Sequence, residues 1–198
     1  MFKLEEILKH GDITIQCHDY PDADALASSF AMYTFLRENG KQARIIYGGK
    51  SAISKPNLIK MVGLLSIPVE HVTQQAPLDT LVTVDCQYGE GNVTKFPAEH
   101  VYQIDHHINA ENGHKGAINS NLGSCATLVW SLLQEVGFPI DKYSEASTGL
   151  YYGLYTDTSN FEEISHPLDK DMRDRINFDQ RVFNLLRFSI NMTYEIFA

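Results

Sequence analysis

Short apolar runs recur along the chain, and each gives way to a polar cluster. Between them lie longer stretches in which apolar residues return every three or four positions. The short runs read as buried strands and the longer stretches as amphipathic helices. Strands are expected at residues 12–17, 43–47, around Val69, and at 80–84, 100–104 and 116–118. Helices are expected at 3–10, from Asp24 through 25–37 to Gly40, and from Pro56 to near Gly63. More follow at 124–136, at 146–155, from Pro167 onward, and over 179–197. Pro56 and Pro167 suit a first helical turn, and Gly40 and Gly137 suit helix ends. Strands alternating with helices predict an α/β fold with a mostly parallel sheet, helices on both faces and a helical C-terminal extension. Residues 1–161 are expected to form one domain, and the polar stretch after them opens a helical extension or linker over 162–198.

Three of the expected strands end alike. Ile13-Thr14-Ile15-Gln16-Cys17 runs into His18, with Asp22 and Asp24 just beyond. Leu81-Val82-Thr83-Val84 runs into Asp85, and Val101-Tyr102-Gln103-Ile104 into Asp105-His106-His107. A parallel sheet places such strand ends on one edge, where open α/β folds hold their ligands.

Composition narrows the classes. The 198 residues suffice for one ordinary domain. No apolar run is long enough to span a bilayer, and the acidic start Met1-Phe2-Lys3-Leu4-Glu5-Glu6 lacks a signal-peptide core, so a cytoplasmic protein with no membrane partner is expected. The net charge of -9 argues against long duplex nucleic acid but not against a small phosphorylated substrate. Three widely spaced cysteines, Cys17, Cys86 and Cys125, form no C-x-x-C pair and read as reduced thiols packed in or beside strands.

Each polar cluster has a bland alternative. Asp24 could merely cap the helix it precedes. Asp85 could be a turn residue, and adjacent histidines could be a solvated loop. Asp157 could belong to a frayed helix end, although an acid there opposes the helix dipole and invites a cation. Imidazole mixed with carboxylate suits Mn, Fe, Co or Zn better than Mg or Ca. His10, His71 and His100 are expected at the surface, and His114 and His166 in polar segments away from the chemistry.

The order of these elements is more specific than any one of them. His18-x-x-x-Asp22-x-Asp24, then Asp85 after a strand, then Asp105-His106-His107, then Asp157 in Gly153-Leu154-Tyr155-Thr156-Asp157-Thr158, together resemble the DHH phosphoesterase family over residues 12–160. Ser124-Cys125-Ala126-Thr127 resembles the helix start of its oligoribonuclease and cyclic-dinucleotide branches. The resemblance implies two manganese ions, with Mg2+, Co2+ or Fe2+ as alternatives. One would be held by His18, Asp22 and Asp85, the other by Asp24, Asp85, His106 and Asp157, with Asp85 bridging. It implies that His107 faces the substrate phosphate, that Asp105 orients a histidine, and that Ser124 lies near substrate.

The implied activity is hydrolysis of a small nucleotide ester: short oligoribonucleotides, a cyclic dinucleotide or 3'-phosphoadenosine phosphate. Pyrophosphatase or exopolyphosphatase activity on the same core is the alternative, as is a metal-loaded lobe that binds without turnover. Family members commonly continue into a second domain with a Gly-Gly-Gly-His motif, and no such motif occurs in these residues. An apolar face on 179–198 suggests a homodimer.

Overall fold

A computed structural model describes residues 2–195, with side chains described as far as Ser189. Six strands form one sheet in the order β3-β2-β1-β4-β5-β6, with every neighbouring pair parallel. They are β1 (Asp12–Cys17), β2 (Gln42–Tyr47), β3 (Val69–His71), β4 (Leu78–Val84), β5 (Ala98–Asp105) and β6 (Lys115–Ile118). The helices are α1 (Ala23–Glu38), α2 (Pro56–Leu65), α3 (Cys125–Glu135), α4 (Ser144–Asp157), α5 (Pro167–Arg175) and α6 (Gln180–Glu195). The α/β class expected from the alternation of elements is the class observed. Leu4–Lys9 is a 3-10 turn rather than an α-helix; six residues between an extended Lys3 and the Gly11 break suit the tighter winding. The helix expected over 179–197 is described from Gln180 to Glu195, and the remaining positions of that expectation lie outside the described residues.

The strand order fixes where chemistry can occur. From β1 the chain winds outward to β2 and β3, then returns to place β4 on the other side of β1 and continues outward through β5 and β6. The winding direction therefore reverses between β1 and β4, and a crevice opens beyond their carboxyl ends. His18 follows β1 and Asp85 follows β4, so the two stand on either side of that crevice.

Alternation along the strands separates two faces. Ile13, Ile15, Val82, Val84 and Ile104 join the main core with α1, α3 and α4. The opposite face carries Gln16, Thr83, Gln103 and Gly116 in register across four strands. The connection after β4 closes over this polar row: Gln16 donates to the Thr94 carbonyl at 2.8 Å, and the Tyr88 amide donates to Gln103 at 2.7 Å. These bonds, and that from the Gln103 amide to Asn112 Oδ1 at 3.0 Å, compensate much of the buried polar row, although Gln16 Oε1 has no partner among the described residues.

On the apolar face α1 and α4 lie against each other, and Gly153 sets how close they come. A Cβ at Gly153 would stand 2.8 Å from Asp24 Oδ1 and 3.2 Å from the Asp24 Cα. The segment after 161 packs onto the same body. Met172 and Ile176 are buried, and Asp169 accepts the Gly123 amide at 3.0 Å. No helix among the described residues is long and apolar enough to cross a membrane.

Gly153→Ala is expected to push α4 away from α1 and to cost about 1–3 kcal/mol by overpacking. Thermal unfolding would show it as a lowered midpoint, and an unchanged midpoint would contradict the close approach.

Candidate metal centre

The crevice gathers acids and histidines from five segments. His18 leaves β1 and stands 3.8 Å from Asp22 and 3.6 Å from Asp85, measured from its Nε2 to a carboxylate oxygen. His106 Nε2 lies 3.4 Å from Asp85 Oδ1 and 3.3 Å from Asp157 Oδ2. Donor atoms that share a cation at roughly 2.1 Å stand roughly 3.0–3.4 Å apart. The separations here are therefore close to those of ligands around an ion. Two groups of three result: His18, Asp22 and Asp85, and Asp24, His106 and Asp157. Asp85 and His106 also group with His107.

Asp85 joins the two groups. Its side chain is 3% exposed, and Oδ1 is buried with no hydrogen-bond donor. Its backbone sits in the left-handed region at φ 60°, uncommon for a residue with a side chain. The strain turns the chain sharply at the end of β4 and aims the carboxylate into the crevice. Strained backbone tends to persist where surrounding structure enforces it, commonly at functional sites. A buried carboxylate oxygen without a donor fits a cation ligand.

The local chain explains the rest. Asp22 is the N-cap of α1 and accepts the Ala25 amide at 2.9 Å. Asp24, the residue a sequence reader would suspect of that role, instead caps a different helix. Its two oxygens accept the Cys125 and Ala126 amides of α3 at 2.6 and 2.9 Å. Residues 22 and 24 differ by 200° around a helix, so one reaches its own helix start and the other reaches across to α3. Asp157 ends α4, and the turn beyond it holds Ser159, Asn160 and Phe161 in left-handed conformations.

His106 Nδ1 lies 3.2 Å from the Leu122 carbonyl, which can only accept. Nδ1 therefore carries the hydrogen and leaves the Nε2 lone pair facing Asp85 and Asp157, as metal-bound histidines require. His107 is arranged otherwise. Its Nδ1 is 2.8 Å from Asp105 Oδ1, and its side chain is 58% exposed. Gln87 anchors that pair by donating to Asp105 Oδ2 at 2.7 Å. Sequence reasoning missed Gln87; it sits two residues after Asp85, in the same strand-end cluster, and that proximity was the available signal.

Ser124 is fully buried. It caps α3 by accepting the Thr127 amide at 3.0 Å, so the structure gives its hydroxyl a helix-end partner and no open face. All three cysteines are free and buried.

A model of the DHH family, N-terminal domain, matches residues 12–174. The chain belongs to the DHH family. Among its relatives is the bifunctional oligoribonuclease and PAP phosphatase NrnA of Thermus thermophilus, 30% identical over 79% of this chain and 47% of that protein. An uncharacterised protein of Methanocaldococcus jannaschii is 26% identical over 81% of this chain and 33% of its own length. The chain thus spans about half or less of the curated relatives it matches. An exopolyphosphatase-related protein from Bacteroides fragilis shares the fold, with TM-score 0.65 at 17% identity over 92% of this chain and 59% of that one.

The acids of this DHH centre repel one another. Burial raises the Asp24 carboxyl well above its ordinary value, and Asp85, Asp157 and Asp22 raise it further; the α3 amides only partly offset this. Burial likewise raises Asp85, and raises Asp157 to about 6 with Asp22 and Asp85 adding to it. His18 moves the other way from what burial alone would do: hydrogen bonds to Asp22 and Asp85 outweigh burial and lift it to about 9. In metal-free protein these groups hold protons where divalent cations would sit. DHH proteins depend on divalent metal, and the donor set here fits that dependence.

A cation must displace protons from His18, raised to about 9, and from Asp157, raised to about 6, so affinity should climb with pH through that interval. Calorimetric titration with Mn2+ in buffers of differing ionisation enthalpy is expected to show proton release and tighter binding at each higher pH. Flat affinity without proton release would contradict the assignment.

Proposed function

We propose that this chain is the catalytic lobe of a manganese-dependent phosphoesterase acting on small nucleotide esters. Short oligoribonucleotides, cyclic dinucleotides and 3'-phosphoadenosine phosphate are the candidate substrates. The observation that carries the proposal is the sharing of Asp85 between two donor groups, with His107 exposed beside them. The activity for which the Thermus relative is named favours nucleotide substrates over other phosphate esters.

His18, Asp22 and Asp85 would hold one cation, and Asp24, Asp85, His106 and Asp157 the other. When bound, a cation pair neutralises phosphate charge and makes a water acidic enough to attack near neutral pH. The chain's own residues do the remainder. Asp85, fixed by its strained backbone, would offer a carboxylate oxygen to each cation. The Asp105 hydrogen bond lifts His107 to about 9, so the imidazole is cationic near neutral pH. With Nδ1 held by Asp105, His107 presents Nε2–H to the open side of the crevice. That donor can bind a phosphate oxygen and steady the charge that grows there as the ester bond breaks. Asp105 itself stays ionised: burial would raise its carboxyl, but His107 and Gln87 bring it below the ordinary value.

His107→Ala is expected to lower turnover roughly 10²–10⁴-fold while leaving bound manganese unchanged. Gln87→Ala, which removes the bond to Asp105 together with those to the Ile108 carbonyl and the Ala110 amide of the loop after His107, should cost less, about 10–100-fold. Full activity in His107→Ala, or loss of its metals, would contradict the assignment. The substrate class is tested by mononucleotide release from a diribonucleotide beside phosphate release from pyrophosphate. Diester cleavage is expected. Cleavage of pyrophosphate alone would replace this reading with a pyrophosphatase, and silence on both by metal-loaded protein would leave a lobe that binds without turnover.

A further inference from the structure

At the amino end of the sheet, opposite the metal centre, a second group of ligating side chains converges. His10 follows the 3-10 turn, Asp79 lies near the start of β4, and His100 lies in the first half of β5. One ligating atom from each lies within 4.8 Å of the others. The three come from separate segments that only the folded sheet brings together.

The surroundings resemble those of a built site. The His10 and His100 rings lie against each other, tilted by 41°, with centroids 4.4 Å apart. His10 Nε2 is 2.8 Å from the Tyr102 hydroxyl, which fixes the ring and leaves the other nitrogen for a ligand. Burial and the neighbouring His100 push His10 below its ordinary value, so it is neutral near neutral pH, the form that binds metal. Glu99 stands 3.8 Å from His100 as a second carboxylate at the rim. Lys41 is the local cation, and its Nζ is tied to the His10 carbonyl at 3.0 Å.

We propose that His10, Asp79 and His100 form a separate site for a borderline divalent transition ion such as Zn2+. Two imidazoles and one carboxylate leave a fourth position for water, a donor set suited to zinc rather than to magnesium or calcium. The ion would clip the segment after Leu4–Lys9 to β4 and β5, at the far edge of the sheet from the reaction. It takes no part in catalysis.

The test uses the full chain, stripped with chelator and then dialysed against micromolar Zn2+, with bound zinc measured by elemental analysis. His100→Ala and Asp79→Asn are each expected to bind one equivalent less than the unaltered chain, with the same circular dichroism and the same manganese-dependent ester hydrolysis. Because the result is a difference, it holds whatever the metal centre itself retains. Equal zinc in all three proteins would overturn the proposal. Asp79→Asn changes an exposed side chain by one atom, so its zinc count decides the matter if His100→Ala folds poorly.

Discussion

The mutual repulsion of four aspartates dominates this structure. Asp22, Asp24, Asp85 and Asp157 crowd one edge of a sheet, two of them almost wholly removed from water. Buried like charges at such range cost free energy unless protonated or compensated. The fold offers partial compensation only. His18 and His106 stand between the acids, and the first amides of α3 bind Asp24. Evolution would not be expected to maintain so unfavourable a cluster for stability alone, since the same volume could be filled with apolar side chains at less cost. Bound cations would resolve the conflict, which supports the proposal that the cluster is a binding site rather than a packing accident.

The architecture serves that cluster directly. Reversal of winding between β1 and β4 places His18 opposite Asp85, and β5 brings His106 alongside. The missing side chain of Gly153 lets α4 approach α1 until Asp157 and Asp24 meet at the same point. Asp85 pays for its position with a left-handed backbone. Around these side chains lies a second layer of polar groups. The Leu122 carbonyl holds His106, and Asp105 with Gln87 holds His107. The two adjacent histidines thereby acquire opposite orientations: one turns its free nitrogen toward the acids, the other toward solvent.

Much of this was legible in the chain itself. Strand positions follow from short apolar runs, and the runs that end in His18, Asp85 and Asp105 announced which edge would carry polar groups. Pairing order was not legible, because periodicity reports which residues are buried and says nothing of which strands are neighbours. The exchange of roles between Asp22 and Asp24 escaped sequence reading for a related reason: capping by Asp24 spans 101 residues to Cys125, and a local motif cannot reveal a distant partner. Ser124 was legible as a helix start, and the structure accounts for it in that role. Gln87 was hidden because its contact, Asp105, lies on the neighbouring strand's end.

The central claim is that two cations share Asp85. Crystals soaked in manganese and measured at its absorption edge test it most directly, since anomalous scattering locates the ions without assumption. Two peaks are predicted, one among His18, Asp22 and Asp85, the other among Asp24, Asp85, His106 and Asp157, each within bonding distance of Asp85. A single peak, or two peaks with Asp85 bound to only one of them, would contradict the account.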